Sequence, residues 1–174
     1  ILLSQVTNLC KGNYVGTQGV SCSTLVGAEG IGKTTCFKIF TKLAKYICPA
    51  VVIYISYNNV LSNDSQLVGL PLSVIIVKEL KGHGVEINKD SKVSTCEAIV
   101  GTLKERNIKV FLLVDELDQL YKIDGNKYPS AVSTIHELSY LGNQPTGQVS
   151  VLLCGSTALM ENLITTNGNE LIRN

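Results

Sequence analysis

Tryptophan is absent from the 174 residues, methionine occurs once, and arginine only twice, at Arg106 and Arg173. Charged residues make up 17% of the chain, against about 25% in an average domain. A surface facing only water normally carries more, so either the chain is unusually buried or part of its surface faces other protein. With 15 basic and 14 acidic residues the net charge is +1. That balance gives no argument for a nucleic-acid or membrane-surface partner. Aromatics are sparse and do not alternate with basic residues, as a surface that stacks single-stranded bases would require. The longest apolar run, residues 49–55, is far too short to cross a bilayer. Residues 1–10 hold no basic region followed by an apolar stretch, so they do not read as a signal peptide. None of the six cysteines (Cys10, Cys22, Cys36, Cys48, Cys96, Cys154) forms a C-x-x-C pair. They fall on strand-like and helix-like stretches, so free buried thiols and a reducing, intracellular compartment are expected. His83 and His136 lack partners at zinc-site spacing, and no G-x-S-x-G elbow or Cys–His signature occurs.

What is present is a chain of 45% hydrophobic residues and mean hydropathy +0.23, enough for one domain with a substantial core. It begins at Ile1 and its one methionine is Met160, so a piece of a longer protein is expected. Residues 1–20 read as a lead-in and 21–174 as the domain. Four short aliphatic runs without alternation, at 21–26, 51–56, 109–114 and 149–154, predict strands buried on both faces, as in a parallel sheet. Between them, Phe37, Phe40, Leu43, Ala44 and Ile47 recur at helical spacing over 34–47, with Lys38, Lys42 and Lys45 opposite. Further helices are predicted at 72–81, at 94–106 behind a Ser94/Glu97 capping box, at 130–141 and at 157–164. Strands alternating with helices define an α/β domain with a mostly parallel sheet and right-handed crossovers. Ligands in such folds bind at the carboxyl ends of the strands.

After the first strand stands Gly27-Ala28-Glu29-Gly30-Ile31-Gly32-Lys33-Thr34, which fits the Walker A pattern G-x-x-x-x-G-K-[ST]. Glycines let the backbone take positive φ and bring successive N–H groups to one point. Those amides, running on to Thr35, and the following helix N-terminus suit phosphate oxygens. Lys33 is expected to neutralise the β and γ phosphates and Thr34 to ligate Mg²⁺. The plain alternative is a glycine turn that only joins strand to helix. The third strand ends in Asp115-Glu116, a Walker B pattern, with Asp115 expected to hold Mg²⁺ through water and Glu116 to act as general base. Alternatively, the two acids cap a short helix at 117–121. Asp118 reads as a surface residue.

These motifs resemble the ASCE division of P-loop NTPases. Residues 27–34, 110–116 and 149–157 look like AAA+ and STAND-type ATPases, and Asp115-Glu116-Leu117-Asp118 is similar to their "DELD" variants. Tyr57-Asn58-Asn59, the acidic pair and Cys154-Gly155-Ser156-Thr157 also resemble the NTPase domains of crinkler and retrotransposon-hot-spot proteins. The resemblance implies a three-layer α/β/α core in which strand 149–154 lies between the Walker A and Walker B strands. It puts Ser156 or Thr157 beside the γ phosphate as sensor 1; the same pair would also serve as an N-cap for the helix after it. The family adds a fifth strand and a helical lid with a sensor 2 arginine, so the core is expected to be truncated before both. Arg106 falls at the edge away from the nucleotide. Arg173 falls roughly where the family places an arginine finger, and reads as a surface residue.

The implied activity is Mg-dependent ATP hydrolysis within a larger AAA+/STAND-like protein. ATP is preferred to GTP because no N-K-x-D motif is present. The alternative is a nucleotide-dependent switch or scaffold, of crinkler effector type, with little hydrolysis. A small P-loop kinase fits poorly with two arginines. Expected partners are ATP, other domains of the same protein and a second copy, with no membrane; the compartment is cytoplasmic or nuclear.

Overall fold

In the computed structural model, the described residues are 22–28, 30–47, 50–58, 70–88, 91–119, 129–145 and 147–156. They form β1 (Cys22–Val26), α1 (Lys33–Ile47), β2 (Val51–Ser56), α2 (Leu72–Gly82), α3 (Thr95–Glu105), β3 (Val110–Asp115), α4 (Pro129–Gly142) and β4 (Val149–Gly155). Each element falls within about two residues of its sequence expectation, the usual uncertainty of element ends. The lead-in at 1–20 and the helix expected at 157–164 lie outside the described residues.

The strands form one parallel sheet in the order β1-β4-β3-β2. Among the described residues, the last strand thus lies between the first and the third, as the family resemblance implies. Its insertion is close-registered on both sides, with Cys154 opposite Leu25 and Leu153 opposite Val114. On the outer side of β3, Asp115 stands opposite Ser56.

The pleat assigns side chains to two layers. On one face Phe37, Phe40 and Ala44 of α1 pack on Phe111, Leu113 and Cys154, with Val52, Tyr54 and Leu152 alongside. Two edge-to-face contacts lock this layer, Phe37–Tyr54 at 6.4 Å and Phe40–Phe111 at 5.9 Å between ring centroids. On the other face α2, α3 and α4 bring Leu72, Ile76, Leu80, Ile99, Leu103 and Leu138 onto Ile53, Ile55, Leu112, Val114, Val151 and Leu153. Because β3 is covered on both sides, all six of its residues are buried, which is why it reads as a continuous apolar run.

One expectation for α1 is corrected. Leu43 is 45% exposed rather than part of the packed stripe. It sits roughly a quarter turn around the helix from the Phe37–Ala44 line, with Ile39 and Tyr46, which are also exposed. Lys38 and Lys42 are solvent-facing as expected.

The helix starts on the three-helix face are capped in two ways. α3 carries the capping box its sequence announces: Glu97 N–H donates to Ser94 Oγ at 3.2 Å and Ser94 N–H to Glu97 Oε2 at 2.8 Å. That pairing holds the exposed Glu97 carboxyl below its ordinary range, through hydrogen bonds from Ser94. α2 begins after Pro71, which offers no capping side chain. Its cap comes from α4: Ser73 N–H donates to Glu137 Oε2 at 2.8 Å and Ser73 Oγ–H to Glu137 Oε1 at 2.9 Å. A carboxylate there also complements the helix dipole. Among the described residues no helix is long and apolar enough to cross a membrane.

Urea denaturation should rank three substitutions. Leu112→Ala, at the centre of β3, is expected to cost about 2–5 kcal/mol through the cavity it leaves. Glu137→Ala should cost about 1–3 kcal/mol, because it strands a buried Ser73 donor. Ser94→Ala should cost about 1 kcal/mol.

Candidate functional site

The carboxyl ends of β1, β4 and β3 lie side by side at one edge of the sheet, where the loop of residues 27–32 and the acidic pair both emerge. Gly30 and Gly32 take φ of +82° and +89°, a region closed to most L-residues on steric grounds. The space around both α-carbons is open, so a side chain there would be strained by backbone alone. Lys33 opens α1 and folds its ammonium back over the loop, donating to Gly27 O and Ala28 O at 2.7 Å each. The first helical bond of α1 runs from Cys36 N–H to Gly32 O at 2.9 Å. The amides of Lys33, Thr34 and Thr35 therefore have no partner within the helix, the general condition of helix starts. Thr34 is half-buried, while Thr35, Ala28 and Ile31 are exposed; Glu29 lies outside the described residues.

Asp115, the last residue of β3, is 1% exposed and shares the α1 face with Phe111 and Leu113. Its carboxylate accepts from Tyr54 O–H at Oδ2 (3.0 Å) and from Glu116 N–H at Oδ1 (2.9 Å). Glu116 has φ +57°, a left-handed turn that costs a non-glycine residue about 1 kcal/mol or more. Its carboxylate accepts from Ser56 O–H at 2.6 Å. The two β2 hydroxyls, two residues apart on the pleat, thus hold the two acids in turn.

Tyr54 and Ser56 were not anticipated. Their signal was a tyrosine and a serine at alternate positions of an otherwise aliphatic strand, VVIYIS. Tyr57, just after the strand, is buried, and Asn58 is exposed; Asn59 lies outside the described residues. Burial pushes the Tyr57 hydroxyl up to about 12, against a smaller opposing effect of its hydrogen bond with Thr134. The Tyr54 hydroxyl is raised well above the ordinary tyrosine range, first by burial and then by the Asp115 charge. It therefore stays a proton donor throughout the physiological pH range.

β4 fills the gap between loop and acids. Cys154, 2% exposed, faces α1, and its thiol feels the Asp115 carboxylate. Burial and then Asp115 push the thiol up to about 12, while Lys33 pulls it down. A single β4 side chain thus feels both the loop lysine and the β3 acid. Asp118 adds to the rise and is half-buried. Ser156 is half-buried just past β4; Thr157 and Arg173 lie outside the described residues. Arg106 is exposed at the α3 C-terminus, where the chain enters β3 at the end away from Asp115. No group of three metal-ligating side chains occurs among the described residues.

Thiol chemistry follows from these positions. Cys36 is exposed, Cys96 and Cys154 are buried, and none of the three is in a disulfide. The expectation of buried thiols therefore holds at two of these positions and fails at Cys36, which lies on the solvent side of α1. Cys96 is pushed up to about 11, mainly by burial. Both raised thiols stay protonated at pH 7–9 and become nucleophilic only as pH approaches 11–12. Peptide mapping after brief treatment with an aromatic disulfide at pH 8 should find Cys36 modified, and Cys96 and Cys154 only after denaturation.

A cationic side chain beside amides that have no partner within their helix suits phosphate oxygens. Two carboxylates across one strand suit a hydrated divalent cation. An ionised carboxylate accepts about four hydrogen bonds; Tyr54 O–H and Glu116 N–H supply two to Asp115, leaving room for a metal-held water. The donor set fits a nucleoside triphosphate with Mg²⁺. Strand order and flanking helices define the class: a P-loop NTPase of the ASCE, AAA+ type.

A family model described as an AAA domain matches residues 17–163, and the chain belongs to that family. Among solved structures it is similar to Cdc6p from Pyrobaculum aerophilum, at 19% identity over 99% of this chain and 42% of that one, with a TM-score of 0.53. It is also similar to the Aeropyrum pernix ORC1 protein, solved in complex with DNA, at 16% identity over 98% of this chain and 41% of that one, with a TM-score of 0.59. The chain spans about two fifths of the length of these two structures, and the likeness is one of fold. No curated protein matches.

Proposed function

We propose that residues 21–174, behind a lead-in at 1–20, are the Mg-dependent ATP-hydrolysing domain of a larger protein. The observation that carries this reading is the strand order β1-β4-β3, which brings the loop that Lys33 folds over and the Asp115–Glu116 pair to the same edge of the sheet. The loop amides of residues 27–35 and the Lys33 ammonium bind the phosphates. The Thr34 hydroxyl, and Asp115 through water, would hold Mg²⁺, which when bound would supply positive charge beside the transferring phosphoryl group. Glu116 orients the attacking water and accepts its proton. Ser156 or Thr157 contacts the γ phosphate. ATP is the nucleotide, other domains of the protein or a second copy are the partners, and the compartment is cytoplasmic or nuclear, in keeping with the three thiols outside any disulfide.

Steady-state phosphate release from the full-length protein tests the reading. Glu116→Gln should slow turnover by about 10²-fold or more, the usual worth of a general base, with ATP affinity kept within a few-fold. Unchanged turnover would remove Glu116 from its role. A second reading, a switch that binds ATP and seldom hydrolyses it, is favoured by the 2.6 Å bond that holds Glu116 to Ser56. Tight binding without turnover at any protein concentration would establish it, and Ser56→Ala should then raise hydrolysis.

A further inference from the structure

Asp115 is gripped by a side chain from outside every motif of the sequence. Tyr54 lies on β2, opposite Leu113 rather than Asp115, and reaches forward along the strand to Oδ2 at 3.0 Å. Glu116 N–H holds the other oxygen at 2.9 Å. One donor on each oxygen fixes the plane of the carboxylate as well as its position. The Tyr54 ring is itself immobilised, edge-on to Phe37 at 6.4 Å and 84°. Phe37 is fully buried in α1, one turn after Lys33. The ring therefore ties the orientation of Asp115 to the helix that carries Lys33 and Thr34.

We propose that Tyr54 is a positioning residue for the divalent cation: its hydroxyl pre-orients Asp115 and so sets the affinity for Mg²⁺ in the nucleotide complex. The proposal rests on Asp115 being the residue that holds the metal through water. Partners that orient metal-holding groups typically contribute 10–100-fold in metal affinity; contact through water puts this one near the lower end. Nucleotide affinity without metal is expected to depend on the loop and Lys33, whereas the Tyr54 hydroxyl is bonded to Asp115, so its loss should act on the metal alone.

The test is binding, not turnover. A fluorescent ATP analogue is titrated onto the full-length protein in EDTA, and Mg²⁺ is then titrated onto the complex, for wild type, Tyr54→Phe and Asp115→Asn. Tyr54→Phe keeps the ring and its contact with Phe37. Its metal-free affinity should stay within twofold of wild type while the half-saturating Mg²⁺ concentration rises about tenfold. Asp115→Asn should raise that concentration at least as much. An unchanged Mg²⁺ midpoint in Tyr54→Phe, with Asp115→Asn impaired, overturns the role of Tyr54 and leaves the site reading intact. An equal loss of metal-free and metal-bound affinity in Tyr54→Phe also overturns it, by showing a general packing role. If Asp115→Asn leaves the midpoint unchanged, or wild type does not bind the analogue, the site reading fails and the Tyr54 proposal falls with it.

Discussion

The parallel pairing of β4 between β1 and β3 is the constraint on which the rest of the molecule depends. Adjacent strands lie about 4.8 Å apart, so one inserted strand separates the end of β1 from the end of β3 by about 10 Å. A triphosphate with a hydrated cation needs a gap of that order. The pairing is close-registered on both sides of β4, so loop and acids emerge at the same height. Hydrogen bonds and two apolar layers hold this spacing; the polar groups of the site need not.

Those polar groups carry local costs that the sheet absorbs. Asp115 is almost fully removed from water, a costly place for a carboxylate unless its oxygens are hydrogen-bonded. Donors from β2 and the next peptide group meet that requirement. Glu116 sits in a strained backbone region, and the turn delivers its carboxylate to Ser56. Fixed spacing from the strands and fixed orientation from the side-chain donors together make the edge of the sheet a preorganised site.

Much of this was legible in the residues. The four strands, the Lys33–Ile47 helix and the Ser94/Glu97 cap rest on local patterns, and local patterns survive folding when neighbours agree with them. The loop glycines were legible because only glycine takes their φ without strain. Glu137 was not legible as the cap of α2, since it stands 64 residues from Ser73. Leu43 was misplaced because helical spacing alone does not say how wide a stripe the sheet covers. Tyr54 and Ser56 were not legible as partners of the acids, because a tyrosine and a serine in a buried strand carry no meaning until the partner strand is known.

By itself, then, the sequence determined the kinds of element, the chemical groups available, and the positions where backbone freedom or a cap was required. Each of these is set by interactions within a few residues. Only the tertiary structure decided which groups meet. It set the strand order, put Tyr54 and Ser56 onto the two acids, and placed Cys154 between lysine and aspartate. Those contacts join residues about 40 to 120 positions apart, and their energies exist only once two faces of one sheet have been covered.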